Sequence, residues 1–219
     1  MAKFVNVNYD LQNKSTSSAN FPLPGGNNQL EHLIEQIITK SNRTLIFGPI
    51  SSTIANKLLL RSAELIIISD NYESLMNMKL LINTPDSLNF RMMDFAHTDF
   101  KDKYFDLIYT QGSISVPERK NILKEIKRII TDDGILSVGE VVSLKEPVAG
   151  FVKDIWEQSG LEPLLSSSLN KFYESRGFEI IGEKDFSDSL KDYYENIRMA
   201  VSKASKEKKE EQKKSFYKN

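Results

Sequence analysis

The stretch from Arg43 to Asp70 constrains this chain more than any other, because it reads as strand, tight turn, short helix and second strand ending on a carboxylate. Thr44-Leu45-Ile46-Phe47 is an uninterrupted apolar run, as expected of a strand covered on both faces, and it stops at Gly48-Pro49. Ser51, Ser52 and Thr53 offer capping hydroxyls to a helix carrying Ile54, Ala55, Leu58 and Leu59. Leu65-Ile66-Ile67-Ile68 is the next buried strand, and Asp70 stands at its carboxyl end. In open α/β sheets ligands bind at that edge, where loops and helix N-termini converge.

The rest of the chain extends the pattern. Strands and helices alternate without internal repeats, so the expected fold is α/β: a Rossmann-like, doubly wound, mostly parallel sheet with helices on both faces, in three α/β/α layers. A helix is expected over Glu73–Ile82, a third strand over Leu88–Met93 ending at Asp94, and a fourth over Tyr104–Tyr109 ending near Gln111-Gly112. Pro117 is placed as a first helical residue ahead of the stripe Ile122, Leu123, Ile126, Ile129 and Ile130. Thr131-Asp132-Asp133-Gly134 reads as a turn and Ile135–Val142 as a fifth strand. Helices are then expected over Glu146–Ser159 and Ser167–Ser175, and a sixth strand over Phe178–Ile181.

Three segments follow: residues 1–42 as an N-terminal segment with a lid helix, 43–186 as the central domain, and 187–219 as an amphipathic helix with a charged tail. In the first, Lys3–Tyr9 reads as an edge strand, and Leu30, Leu33, Ile34, Ile37 and Ile38 mark the lid helix. In the last, Leu190, Tyr193, Tyr194, Ile197 and Val201 recur at helical spacing. That stripe is expected to cover an exposed edge or join two copies as a homodimer.

Composition narrows the function classes. With 29 Lys+Arg against 30 Asp+Glu, nothing in the charge balance asks for nucleic acid or an acidic membrane. The absence of cysteine removes disulfides, thiolate metal sites and cysteine nucleophiles, and no metal is expected. No apolar run approaches the roughly 20 residues that a membrane helix needs, so the expected location is cytoplasmic.

The order of motifs resembles the class I S-adenosylmethionine-dependent methyltransferases, in the small-molecule branch with ubiquinone-type and sterol-type enzymes. The resemblance runs through Leu45-Ile46-Phe47-Gly48-Pro49-Ile50-Ser51-Ser52, Asp70, Met92-Met93-Asp94-Phe95, Phe105-Asp106-Leu107-Ile108, Leu123-Lys124-Glu125-Ile126 and Asp133-Gly134-Ile135-Leu136. It implies S-adenosyl-L-methionine as cofactor and a small-molecule acceptor. It places Phe47, Gly48, Pro49 and Ser51 at the methionine portion, Asp70 with Asn71 at the ribose, Asp94 with Phe95 at the adenine, and Gln111 on the same edge. The chain departs from the family at Ile46, where an acid is expected, and at Ile50 and Ser52, where glycines are expected. Either the loop takes another route or cofactor affinity falls; the alternative function is a catalytically silent member of the fold acting as a binding or regulatory partner.

Duller roles stand beside these. Asp70 could cap the following helix, and Asp94 could be an ordinary turn residue. Glu140, Tyr109 and His97 are the candidate bases should the acceptor need one. A carboxylate such as Glu140 in a buried strand is either a substrate contact or half of an internal salt bridge. Phe151 and Trp156 either line a partly hydrophobic acceptor site or pack their own helix onto the domain.

Overall fold

The computed structural model describes residues 2–3, 25–36, 41–82, 88–189 and the isolated positions 195, 199 and 202. Its centre is a five-stranded sheet of β2 (Ser41–Phe47), β3 (Ser62–Ser69), β4 (Leu88–Met92), β5 (Phe105–Gln111) and β6 (Ile130–Gly139). The spatial order is β4-β3-β2-β5-β6, and every neighbouring pair is parallel. The chain runs outward from β2 through β3 to β4, then returns to the other side of β2 for β5 and β6. The order therefore reverses between β2 and β5, which is where a doubly wound sheet opens a ligand crevice at its carboxyl edge.

The strands alternate their side chains between two cores. On one face Leu45, Phe47, Ile66, Ile68, Phe105, Ile108 and Val138 meet α4 (Arg119–Ile129) and α6 (Leu169–Glu174). On the other, Ile46, Leu65, Ile67, Leu107 and Tyr109 meet α1 (Asn28–Gln36), α2 (Ser52–Leu59) and α3 (Tyr72–Leu81). This is the three-layer α/β/α arrangement that the apolar runs predict.

Several boundaries differ from the sequence reading. Pro117 lies in the turn before α4, which begins at Arg119 with Glu118 in the cap position. Thr131–Gly134 forms no separate turn and belongs to β6, where the register shifts: Phe105 pairs with Ile130 and Leu107 with Ile135, so Asp106 alone faces four residues. The fifth strand ends at Gly139 instead of continuing to Val142; β7 (Val142–Ser143) pairs separately with β8 (Leu164–Leu165). The following helix, α5, spans Gly150–Gln158, starting later than Glu146 because Pro147 disfavours helical geometry in the residue before it.

No strand forms over Phe178–Ile181. Phe178 and Ile180 still pack against the first core, so their alternation records one-sided burial without ladder pairing. Of Lys3–Tyr9, the described part is β1 (Ala2–Lys3), which pairs in parallel with β9 (Lys184–Asp185) in a separate two-stranded ribbon. The rest of that segment, Ile37 and Ile38 of the lid helix, the apolar positions of the Leu190–Val201 stripe and the tail lie outside the described residues.

Helix α4 is fastened at its C-terminal end by an ionic network. Glu125 accepts from the Thr98 amide (2.9 Å) and hydroxyl (2.5 Å) and from Nε (2.9 Å) and Nη2 (2.6 Å) of Arg128. Arg128 also donates to the Phe100 carbonyl and the Asp102 carboxylate. Burial would raise the Glu125 carboxyl, but the Arg128 and Thr98 hydrogen bonds outweigh it and hold the group below its ordinary 4.5. A carboxyl depressed in the folded state stabilises above its unfolded value, and that contribution is lost as pH falls through the folded value. Glu125→Gln is expected to lower the unfolding free energy at pH 7 by about 1–3 kcal/mol. It should also flatten the stability loss below about pH 4.5, measured by urea unfolding across a pH series.

Candidate active site at the carboxyl edge

Gly48 closes β2 with φ of 82° and donates its amide to the Ile68 carbonyl at 2.9 Å. An added Cβ would collide with Ser113, whose own Cβ would lie 2.7 Å away, so glycine is required both by conformation and by the crossing of the β5–α4 loop. Pro49 is exposed. Ile50 turns away from the edge into the core of Leu30, Leu33, Ile46 and Ile54, on a backbone without positive φ. The branched side chain therefore does not stand over the loop. Ser51 Oγ accepts from the Ile54 amide at 3.3 Å and is the cap of α2.

The acid at the end of β3 does not cap the helix that follows it. Asn71, not Asp70, caps α3, its side chain accepting from the Ser74 amide at 2.8 Å. Asp70 is exposed and has no hydrogen-bonding or ionic partner among the described residues. After β4, Asp94 Oδ1 accepts from the Ala96 amide (2.8 Å) and Oδ2 lies 3.0 Å from His97 Nδ1. These contacts hold the Asp94 carboxyl below its ordinary range, the His97 bond most of all. Phe95 is buried and packs against Phe47 with ring centroids 5.3 Å apart. Phe47 is thus a wall of the core beneath the edge, not an exposed contact.

On the far side of the switch point α1 lies across the ends of β5 and β6. Gln29 Nε2 donates to the Thr110 carbonyl (3.0 Å) and Ser137 Oγ (3.1 Å), and Gln111 Nε2 donates to the Gly26 carbonyl (2.9 Å). Tyr109 is fully buried, its hydroxyl donating to Gln111 Oε1 at 3.3 Å. Burial pushes its phenol far up, so it stays protonated.

Glu140, just beyond β6, is also wholly buried, and its partners are internal. It accepts from Ser115 and Tyr173, and the Arg119 guanidinium lies 3.3 Å from it. Arg119 in turn donates to the Glu162 carbonyl at 2.7 Å, and Ser115 Oγ accepts from the Val141 amide at 2.9 Å. Burial and the adjacent Glu140 carboxylate push the Tyr173 phenol up, so it remains the donor. Of the two roles open to Glu140, this geometry is that of the salt bridge. His97, its side chain 80% exposed, sits with Asp94 on the β4 side of the edge.

The structure therefore gathers Gly48, Asp70, Asp94 and Gln111 on one edge and leaves Glu140 and Tyr109 beneath it. Two features escape sequence reasoning. Ser113 Oγ is buried against Gly48 without a hydrogen-bond partner among the described residues, and no pattern in the sequence marks it. Arg119 carries a signal: it falls on the same helical stripe as Ile122, Ile126 and Ile129, where an uncompensated charge would be intolerable.

Residues 47–138 match the family model described as a methyltransferase domain. The chain carries the class I methyltransferase fold. A putative methyltransferase from Bacillus halodurans C-125 is 16% identical over 72% of this chain and 71% of its own, with a TM-score of 0.62. A putative methyltransferase from Haloferax volcanii, solved in complex with the Trm112 methyltransferase activator, is 17% identical over 71% of this chain and 70% of that one, with a TM-score of 0.60. A Haemonchus contortus phosphoethanolamine N-methyltransferase, solved with S-adenosyl-L-methionine, reaches 0.70 at 12% identity, over 85% of this chain and 44% of that one. A search of curated sequences returns no match. Among the described residues no helix is long and apolar enough to cross a membrane.

Breaking the buried pair should be costly whatever ligand the edge holds. Arg119→Met strands the Glu140 carboxylate and is expected to remove about 3–5 kcal/mol of stability, much of it restored when Glu140→Leu is added, as measured by urea unfolding.

Proposed function

We propose that this protein binds S-adenosyl-L-methionine along the carboxyl edge and transfers its methyl group to a small-molecule acceptor. The observation that carries the reading is Asp70: an exposed carboxylate without a partner among the described residues, at the end of β3, beside a glycine-turned loop, while its neighbour Asn71 does the capping. Ribose hydroxyls are the donors such a carboxylate would accept from. Ser113 Oγ, buried against Gly48 and unpaired among the described residues, is available to the methionine portion, and Asp94 to the adenine amine. The residues present therefore fit the cofactor without the missing glycines. Ile50 belongs to the core, which removes the steric argument for a silent fold.

When bound, the cofactor supplies a methyl group on a sulfonium leaving group, so the protein's task is alignment and the exclusion of water. Helix α1, tied down through Gln29 and Gln111, covers the β5–β6 part of the edge and would screen the transfer. Tyr109 stays protonated, and Glu140 is consumed by Arg119, Ser115 and Tyr173. Neither serves as a base in this reading, so the acceptor brings a nucleophile that needs little help in losing a proton.

Calorimetric titration tests this. The wild-type protein should bind S-adenosylmethionine and S-adenosylhomocysteine, and Asp70→Ala, with an unchanged circular dichroism spectrum, should weaken both by about 10- to 100-fold. Absence of binding to folded wild-type protein overturns the proposal.

A further inference from the structure

We infer that His97 is a positioning residue for the cofactor's adenine, acting through Asp94, and not a base for the acceptor. The inference rests on the reading above and deepens it.

The geometry points this way on three counts. The tight turn from Asp94 to His97 is closed by an antiparallel bridge between those two residues, with the His97 amide donating to the Asp94 carbonyl at 3.3 Å. Both carboxylate oxygens are engaged from within that turn, Oδ1 by the Ala96 amide at 2.8 Å and Oδ2 by His97 Nδ1 at 3.0 Å. Each oxygen keeps a second lone-pair direction for a ligand amine. The imidazole thus restrains the rotation of a carboxylate that is itself 63% exposed and that core packing does not hold.

The neighbouring charges leave the pair isolated. Asp99 is engaged by Arg91 at 3.6 Å, and no other ionic partner of Asp94 or His97 is present among the described residues. An exposed carboxylate that must receive one amine in one direction gains from such a brace, because the orientation is fixed before the ligand arrives. The distance from the acceptor side follows from topology. His97 hangs from β4, the outermost strand of one side, while α1 covers β5 and β6 on the other.

The test is a ligand-and-mutant cycle by calorimetry. His97→Ala should weaken S-adenosylhomocysteine binding by about 3- to 10-fold, and His97→Asn, whose side-chain amide can replace Nδ1, should restore most of it. The same His97→Ala change should leave unaffected the binding of S-inosylhomocysteine, in which an oxygen replaces the adenine amine. It should likewise have no effect in an Asp94→Ala background. A merely structural role for His97 would weaken both ligands alike. Unchanged S-adenosylhomocysteine affinity in His97→Ala, equal losses for the two ligands, or failure of His97→Asn to rescue would each overturn the inference while leaving the cofactor reading intact. Failure of the wild-type protein to bind either ligand overturns both.

Discussion

Burial of β2, β3 and β5 on both faces is the constraint from which the rest of the molecule follows. A strand with Leu45 and Phe47 in one core and Ile46 in the other has no side to give to water, so helices must cover both faces. Parallel neighbours then require crossovers, and crossovers return each strand in the same direction. All the loops that follow strands are thereby delivered to one edge. Gly48, Asp70, Asp94 and Gln111 come from four different strands, separated by as much as 63 positions, and meet there because of that geometry.

Helix α4 joins the edge to the body of the fold. Its first turn contributes Arg119 to the buried pair with Glu140, and its last turns contribute Glu125 and Arg128 to the clasp on the Thr98–Asp102 loop. Such buried charges cost desolvation and are tolerated only with full partnership. Their consequence here is register. Ser115, bound to both Glu140 and the Val141 amide, fixes the loop that presses Ser113 against Gly48.

Much of this was legible in the sequence because apolar runs, glycines and caps report local preferences that the tertiary structure shares. The five strands of the main sheet and the helices α2, α3 and α4 fall within a few residues of their expected places, and Ser51 caps as its hydroxyl suggests. The remaining features depend on partners that sequence alone does not show. Phe178–Ile181 alternates like a strand but has no ladder to join, and Val142 leaves β6 to pair with Leu164. Ile50 reads as an obstruction only until the core that receives it is visible. Glu140 was a carboxylate with two readings, and the deciding residues, Arg119, Ser115 and Tyr173, lie 21, 25 and 33 positions away.

Asp70, unpartnered among the described residues, is proposed to receive the ribose. A crystal structure of the wild-type protein grown with saturating S-adenosylhomocysteine tests this most directly. The account predicts both ribose hydroxyls on the Asp70 carboxylate, with the homocysteine portion along the Gly48 loop beside Ser113. Nucleoside bound elsewhere, or an ordered edge with Asp70 still facing solvent at saturating ligand, would contradict it.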